Sequence, residues 1–380
     1  MEPHFKLIAR NFRTLEALEW SPQVGVNLLV GPNGSGKTTV LSALKFLRVL
    51  FKRGHESAFN AIRGVHLGRR GAADNEPVHL ELHHGDIHWT LDFPVDARGL
   101  RSHYGESLRH ADEVILRALM FQEMWTLGAS RRKHADDRCC ARVFWDQAEE
   151  PPEWMRPLVD LVLNLRVHGV YNLDLLRQPA QGDERTFTLH PTGRNLWQLL
   201  SLWKGSPRRH GDQFAWVLQA MRDAFPDLIG ELEFEGTPPH GIIFPPGTSD
   251  PDGGLPASLA ADGLLTGLLH LTAIAGAPPG SILAFDEMEN QLHPFAIRSI
   301  LRSMRARAEE RGLVVLLTTH SPTVMDAFEG HEDRFYVMEP GRSPLPIALS
   351  ELHDPVWLTS FSLGLRYDRG DVAAPTRPQE

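Results

Sequence analysis

Cysteine is nearly absent from this chain: there are two in 380 residues, Cys139 and Cys140, side by side. Adjacent positions cannot join separate elements through an ordinary structural disulfide, so a disulfide-stapled fold is excluded and a reducing, cytoplasmic setting is expected. Positive charge is also in deficit. Lys and Arg number 39 against 48 Asp and Glu, a formal charge of −9. That balance excludes a surface coated for indiscriminate nucleic-acid binding and leaves only local basic grooves. Long apolar runs are missing too. The opening MEPHFKLIARNF has no signal-peptide core, and the longest apolar stretch, GLLTGLLHLTAIAGA at 263–277, is short and carries His270, so no membrane span is expected. No internal repeat, heptad pattern or long low-complexity segment is present, and only the ending at 368–380, DRGDVAAPTRPQE, reads as a disordered tail. What remains, 42% hydrophobic and 23% charged, is ordinary globular composition with material for one large domain or two lobes.

The patterning is that of an α/β protein. HFKLIARNF at 4–12 and VGVNLLV at 24–30 read as strands, and the second runs directly into GPNGSGKTT at 31–39 and the helical TVLSALKFLRVLF. Residues 78–95, VHLELHHGDIHWTLDFPV, alternate apolar and polar about a His84-Gly85-Asp86 turn, which predicts an antiparallel hairpin. His79, His83 and His84 are read as the polar face of that alternation rather than a zinc site, because no thiolate and no outer-shell pattern accompany them. From about 106 to 225 the pattern is mostly helical, in LRHADEVILRALMFQEMW, WMRPLVDLVLNLRV, NLWQLLSLW and FAWVLQAMRDAF, separated by polar and Gly/Pro-rich pieces. Strands near 228–235 and 240–245, a helix from about 263, a strand at SILAF, a helix at 294–311, the strand LVVLLTT at 313–319 and a strand near 333–339 then complete the α/β pattern.

Two stretches carry chemistry. GPNGSGKT fits the phosphate-binding loop G-x-x-x-x-G-K-[ST], in which glycines let backbone N–H groups wrap phosphate. Gly31, Pro32, Asn33, Gly34, Ser35, Gly36, Lys37, Thr38 and Thr39 are therefore the expected nucleotide-binding residues, with Lys37 on the β- and γ-phosphates and Thr38 on Mg²⁺. The second stretch, SILAFDEMENQLHP at 281–294, sets Asp286 beside Glu287 at the end of an apolar run. Adjacent carboxylates repel, and a cation between them gives the pair a purpose: Asp286 holds the metal and Glu287 orients or deprotonates the attacking water. LVVLLTTHSP then ends on His320, placed to hydrogen-bond a γ-phosphate or hold the water. The expected ligands are ATP and Mg²⁺, and the expected catalytic residues are Lys37, Glu287 and His320.

Taken together, IARNFRTL, GPNGSGKTT, the apolar strand ending in Asp-Glu, ENQLHP and TTHSP resemble the ABC-type ATPases of the SMC, RecF and OLD class, and more narrowly their stand-alone relatives. LHPTGRNLWQLL at 189–200 and the ending WLTSFSLGLRYDRGD are similar to segments of that group. The resemblance implies a P-loop NTPase fold, an ABC-ATPase-like head with a mixed sheet, an antiparallel β subdomain and an inserted helical lobe. The expected divisions are a first head segment at 1–100, a helical lobe at 101–227, a second head segment at 228–367 and the tail at 368–380. It also implies a homodimer formed on ATP binding, each head capping the other's γ-phosphate with a signature segment. Ala261-Asp262-Gly263 stands at that position without the family's serine, and Asp262 also reads as an N-cap for the helix that follows. The family's lid glutamine has only weak counterparts in Gln122 and Gln178.

The implied partners are DNA and a separately encoded nuclease or effector, in repair or phage defence, since the residues after His320 are too few for a nuclease domain and read as one strand and a tail. RRK at 131–133, Arg138, Arg142 and RRH at 208–210 are the basic clusters that could meet phosphates, with solvated surface as the plainer reading. Two other functions share the motifs. One is the nucleotide-binding subunit of a membrane transporter, which the long interval between Lys37 and Asp286 disfavours; the other is an ATP-gated module without hydrolysis, which Glu287 disfavours.

Overall fold

In the computed structural model, residues 5–62, 67–69, 76–94, 104–119, 124–128, 130–133, 137–169, 171–178, 187–339 and 341–373 are described. The chain forms two compact units, one of Met1–Leu165 with Gly330–Phe361 and Leu365–Glu380, the other of Arg166–Glu329 with Ser362–Gly364.

The first unit is organised by alternation. Val78–His84 and Ile87–Phe93 pair antiparallel about Gly85, burying Val78, Leu80 and Leu82 on one strand and Ile87, Trp89, Leu91 and Phe93 on the other. Lys6–Phe12 and Leu15–Trp20 extend this sheet on one side. On the other side it continues through Gly105–His110, Glu113–Leu119, Met124–Leu127 and Ser130–Lys133, making eight strands in all. The helix Lys37–Arg53 buries Val40, Leu41, Ala43, Leu44, Phe46, Leu47, Leu50 and Phe51. Its aromatic residues meet the sheet edge-on, Phe46 against Phe93 at 5.4 Å and Phe51 against Trp89 at 5.6 Å, so helix and sheet share one core. The fully buried strand Gly25–Val30 runs parallel to Phe335–Val337, which pairs antiparallel with Ile347–Ala348.

The helix predicted over LRHADEVILRALMFQEMW is not formed: its described residues fold as the hairpin Gly105–His110 and Glu113–Leu119 and the strand Met124–Leu127. Ala111, at φ 50°, turns the chain between the first two strands, and Leu116 and Ala118 alternate inward while Val114 and Arg117 face out. In so short a window apolar spacing satisfies either period, and pairing with an existing sheet edge decides it. Among its described residues the lobe expected at 101–227 is thus helical only from Cys140 onward, and its helices divide between the two units. Arg156–Asn164 belongs to the first; Leu196–Gly205 and Pro207–Ala224 belong to the second. Cys139 and Cys140 are buried free thiols, pushed up by burial. Beside them Glu106, fully buried, accepts the backbone N–H of Cys140 and Ala141 and the Trp89 indole, so a carboxylate anchors the N-terminus of the helix Cys140–Gln147.

The second unit contains three parallel strands, Arg166–His168, Ile282–Phe285 and Val314–Thr318, in that order. The helices Asp262–Ala275 and Pro294–Glu310 belong with them, as does a small antiparallel sheet of Glu231–Glu235, His240–Phe244 and Leu255–Pro256. Arg166–His168 was not foreseen; it is cut from the end of an apolar helix pattern. After His320 the chain holds more than one strand and a tail: two strands are followed by helices at Pro355–Ser360 and Leu363–Arg369. Arg366, nearly buried, lies 3.5 Å from the Trp357 ring centre and fixes that ending, so the predicted tail begins inside a helix, while its residues 374–380 lie outside those described. Among the described residues no helix is long and apolar enough to cross a membrane.

Candidate functional site

In the first unit the expected phosphate loop joins the strand Gly25–Val30 to the helix Lys37–Arg53. Gly36, at φ 105°, makes the turn into the helix, whose first turn holds no acid and receives no side-chain cap. Gly31 allows the close approach behind the loop, since a Cβ there would stand 2.6 Å from the Met338 carbonyl oxygen. Lys37 is buried, its ammonium donating to the carbonyls of Gly31 at 2.7 Å and Pro32 at 3.1 Å. Thr38 is exposed, while Thr39 faces inward and its hydroxyl meets that of Thr14 at 2.8 Å. Ser35 Oγ is buried with no hydrogen-bond partner among the described residues. A buried orphan hydroxyl, a buried ammonium turned onto loop carbonyls and an uncapped helix start all favour an incoming anion, and the loop fits a polyphosphate.

In the second unit Asp286 and Glu287 follow the fully buried strand Ile282–Phe285. The Asp286 amide donates to His168 O at 3.0 Å, continuing the pairing of strands one residue past its end. Thr318 then ties the two acids together: its hydroxyl donates to Asp286 Oδ1 at 2.6 Å and accepts from the Glu287 amide at 2.9 Å. Glu287 is exposed, sits at φ 52° and has Oε2 held by Asn290 at 3.1 Å. A non-glycine residue in the left-handed region is a strained placement that the surrounding bonds must hold. The third acid, Glu289, accepts from the His320 amide at 2.9 Å, so it fixes the loop that carries His320 and is not another exposed charge. His293 caps the next helix through Phe295 N at 3.3 Å.

Under these acids lies a buried aromatic seat. His168 stacks on Phe285 at 5.2 Å and His270 meets the same ring edge-on at 5.0 Å. Burial holds both imidazoles neutral, depressed to about 3 and about 4. His270 Nε2 donates to the Met288 carbonyl at 3.0 Å, tying the helix Asp262–Ala275 to the acid loop. Thr266 reinforces the tie by donating to Gln291 Oε1 at 3.2 Å, and a Cβ on Gly263 would stand 2.6 Å from Gln291 O. Ala261, not Asp262, holds the N-cap position, because the helix begins at Asp262. The Asp262 carboxylate is engaged by Arg177, whose guanidinium also donates to Ala260 O at 3.3 Å.

The site residues read from the sequence therefore fall into two groups, Gly31–Thr39 in the first unit and Ala261–Gly263, Asp286, Glu287 and His320 in the second. Thr318, Glu289, His270 and Arg177 were missed as supports. A hydroxyl within TTHSP and a third acid after Asp-Glu were visible signals; the pairing of each with its partner was not. Gln178 belongs to the second unit and Gln122 lies outside the described residues. Of the basic clusters, Arg131 and Arg132 are exposed on a strand rather than a helix, and Arg138 and Arg142 both bond Asp146, at 2.9 and 2.8 Å.

Comparison with known proteins places these features. The profile of an AAA-domain family, whose description refers to the AbiEii toxin and the type IV TA system, matches residues 26–131 and 220–326. The DNA replication and repair protein RecF of Yersinia pseudotuberculosis serotype O:1b is 38% identical over 69 residues, 18% of this chain and 18% of that protein. RecF of Vibrio atlanticus is 42% identical over 59 residues, 16% of this chain and 15% of that one. The similarity thus spans less than a fifth of these relatives' length. Among solved structures, the SmcHead bound to the C-winged helix domain of ScpA superimposes with a TM-score of 0.51 at 15% identity, over 92% of this chain and 100% of that one, a likeness of fold.

Proposed function

Because the chain belongs to this AAA-domain family and has the fold of an SMC-head-like, ABC-type P-loop ATPase, we propose that it binds ATP with Mg²⁺ and hydrolyses the terminal phosphoanhydride bond. The observation that carries the reading is the glycine loop with Lys37 folded inside it: a buried ammonium resting on two carbonyls of its own loop is a cation kept ready for phosphate. Thr38 and Asp286 are the residues that would bind Mg²⁺, which when bound would neutralise charge on the transferred phosphoryl group. Lys37 and the loop amides bind the β- and γ-phosphates. Glu287 orients the attacking water and accepts its proton, and its backbone is held for this by Thr318. His320 hydrogen-bonds the γ-phosphate or the water, from a loop that Glu289 pins.

The reading extends to an ATP-dependent homodimer in which Ala261, Asp262 and Gly263 face the partner's nucleotide. One hydrogen bond to a charged phosphate is worth about 1.5–3 kcal/mol, so alanine in place of a signature serine weakens closure, leaving the Gly263 amide and the helix start as donors. The partial RecF similarity supports a role on DNA in repair; the proposal extends to phage defence and to a separately encoded nuclease or effector as partner in the cytoplasm. Steady-state hydrolysis by the purified chain, with and without duplex DNA, tests both layers. Lys37→Ala is expected to lose ATP binding, and Glu287→Gln to keep binding while accumulating an ATP-bound dimer. Equal turnover by wild type and Glu287→Gln would remove the assignment of Glu287.

A further inference from the structure

The outward face of the hairpin Val78–His84 and Ile87–Phe93 holds a cluster that neither the nucleotide chemistry nor the core requires. Alternation sends His79, Glu81 and His83 outward from the first strand and His88 and Asp92 from the second. The register sets His83 opposite His88 and His79 opposite Asp92. His83 and His88 stack with ring centres 3.8 Å apart and planes at 11°. Glu81 Oε1 lies 2.5 Å from His83 Nε2 and 3.7 Å from His88 Nδ1. One ligand atom from each of Glu81, His83 and His88 falls within 4.8 Å of the other two.

We propose that Glu81, His83 and His88 form a binding site for a divalent transition-metal ion, zinc by its ligand chemistry. Zinc takes imidazole nitrogen and carboxylate oxygen at about 2.0–2.2 Å, which in tetrahedral geometry sets neighbouring ligands roughly 3.3–3.5 Å apart. The Glu81 Oε1 separations from His83 and His88, 2.5 and 3.7 Å, lie either side of that range, so closure on an ion needs side-chain rotation that opens the imidazole stack, with the strand pairing unchanged. Two imidazoles and one carboxylate favour zinc and its late first-row neighbours over Mg²⁺, which prefers an all-oxygen octahedron. The fourth position is left to water.

The outer groups are those such a site needs. His79 Nε2 lies 3.3 Å from Glu81 Oε2, and its Nδ1 lies 2.7 Å from Asp92 Oδ1. This carboxylate–imidazole–carboxylate chain occupies one oxygen of Glu81 and turns the other toward His83 and His88, as outer-shell partners orient metal-bound carboxylates. Three cations stand on adjoining strands, Arg109 opposite His88, Lys6 opposite His83 and Arg10 opposite His79; Lys6 is paired with Glu19 at 2.5 Å. The ion would join the two strands across their turn. The outer-shell pattern that the sequence lacked is supplied by the facing strand, through His88 and Asp92.

The test is zinc titration by calorimetry on the full chain, stripped with chelator and measured in millimolar MgCl₂ so that the nucleotide site's metal does not compete. The expected result is one zinc per chain with a dissociation constant of about 10 µM or tighter, weakened at least tenfold by His88→Gln and by His83→Gln. Circular dichroism shows which variants fold, and His88→Gln, on the outer face, decides the matter if His83→Gln does not. Cobalt substituted for zinc should give the visible bands of tetrahedral coordination. Zinc binding weaker than about 100 µM, or tight binding that His88→Gln leaves intact, would overturn the site.

Discussion

Replacing Thr318 by valine tests how the acid pair is held. The side chain is fully buried and close to valine in shape, so the change opens no cavity and puts a methyl in place of the hydroxyl, leaving both its partners without that bond. That hydroxyl makes two bonds, donating to Asp286 Oδ1 at 2.6 Å and accepting from the Glu287 amide at 2.9 Å. The bond to the carboxylate is charge-assisted, worth about 1.5–3 kcal/mol, and the amide bond about 1 kcal/mol. If the charged bond alone is felt in the transition state, turnover falls roughly 10- to 100-fold. Steady-state ATP hydrolysis at saturating Mg·ATP, paired with nucleotide affinity by fluorescence, is the assay. Affinity should hold close to wild type while turnover drops, and Thr318→Ser, which keeps the hydroxyl, should recover most of the rate. Wild-type turnover by Thr318→Val, or an equal loss in Thr318→Ser, would refute the idea that the hydroxyl positions Asp286 and Glu287.

Gly263→Ala should destabilise by about 1–3 kcal/mol although alanine is the better helix former, because its Cβ would stand 2.6 Å from the Gln291 carbonyl. Hydrogen exchange should quicken across 287–292, and unchanged exchange there would show that the loop yields at no cost. Acid should weaken the second unit through His168 and His270, whose folded values near 3 and 4 lie below the unfolded value. The unfolded chain binds their protons first, so this stability is complete above about pH 6.5 and declines as pH falls toward the folded values. Between pH 6.5 and 5 each imidazole costs on the order of 2 kcal/mol. Urea unfolding across that range should show the slope, and His168→Phe should reduce it; parallel curves would remove the histidine from the account.

The legible parts of the sequence were those in which chemistry is local. The glycines, lysine and threonine of GPNGSGKTT stand at the fixed spacing a phosphate loop needs, and the strand expected before it and the helix expected after it are formed. The hairpin at 78–93 was equally plain, because alternation and a glycine turn act over neighbouring residues. Over LRHADEVILRALMFQEMW the same reasoning chose helix, since apolar spacing satisfies two periods, and for its described residues the edge of an existing sheet made the choice. What the tertiary structure alone decided was pairing at a distance. Thr318 reaches Asp286, His270 reaches Met288, and Glu289 reaches the His320 amide, each across an interval that local propensity does not cover. The sequence by itself determined which atoms could bind phosphate, accept a proton or ligate metal. Which of them stand within about 3 Å of one another was settled by sheet register and helix packing, because a hydrogen bond depends on position to a fraction of an ångström and sequence spacing carries no such information.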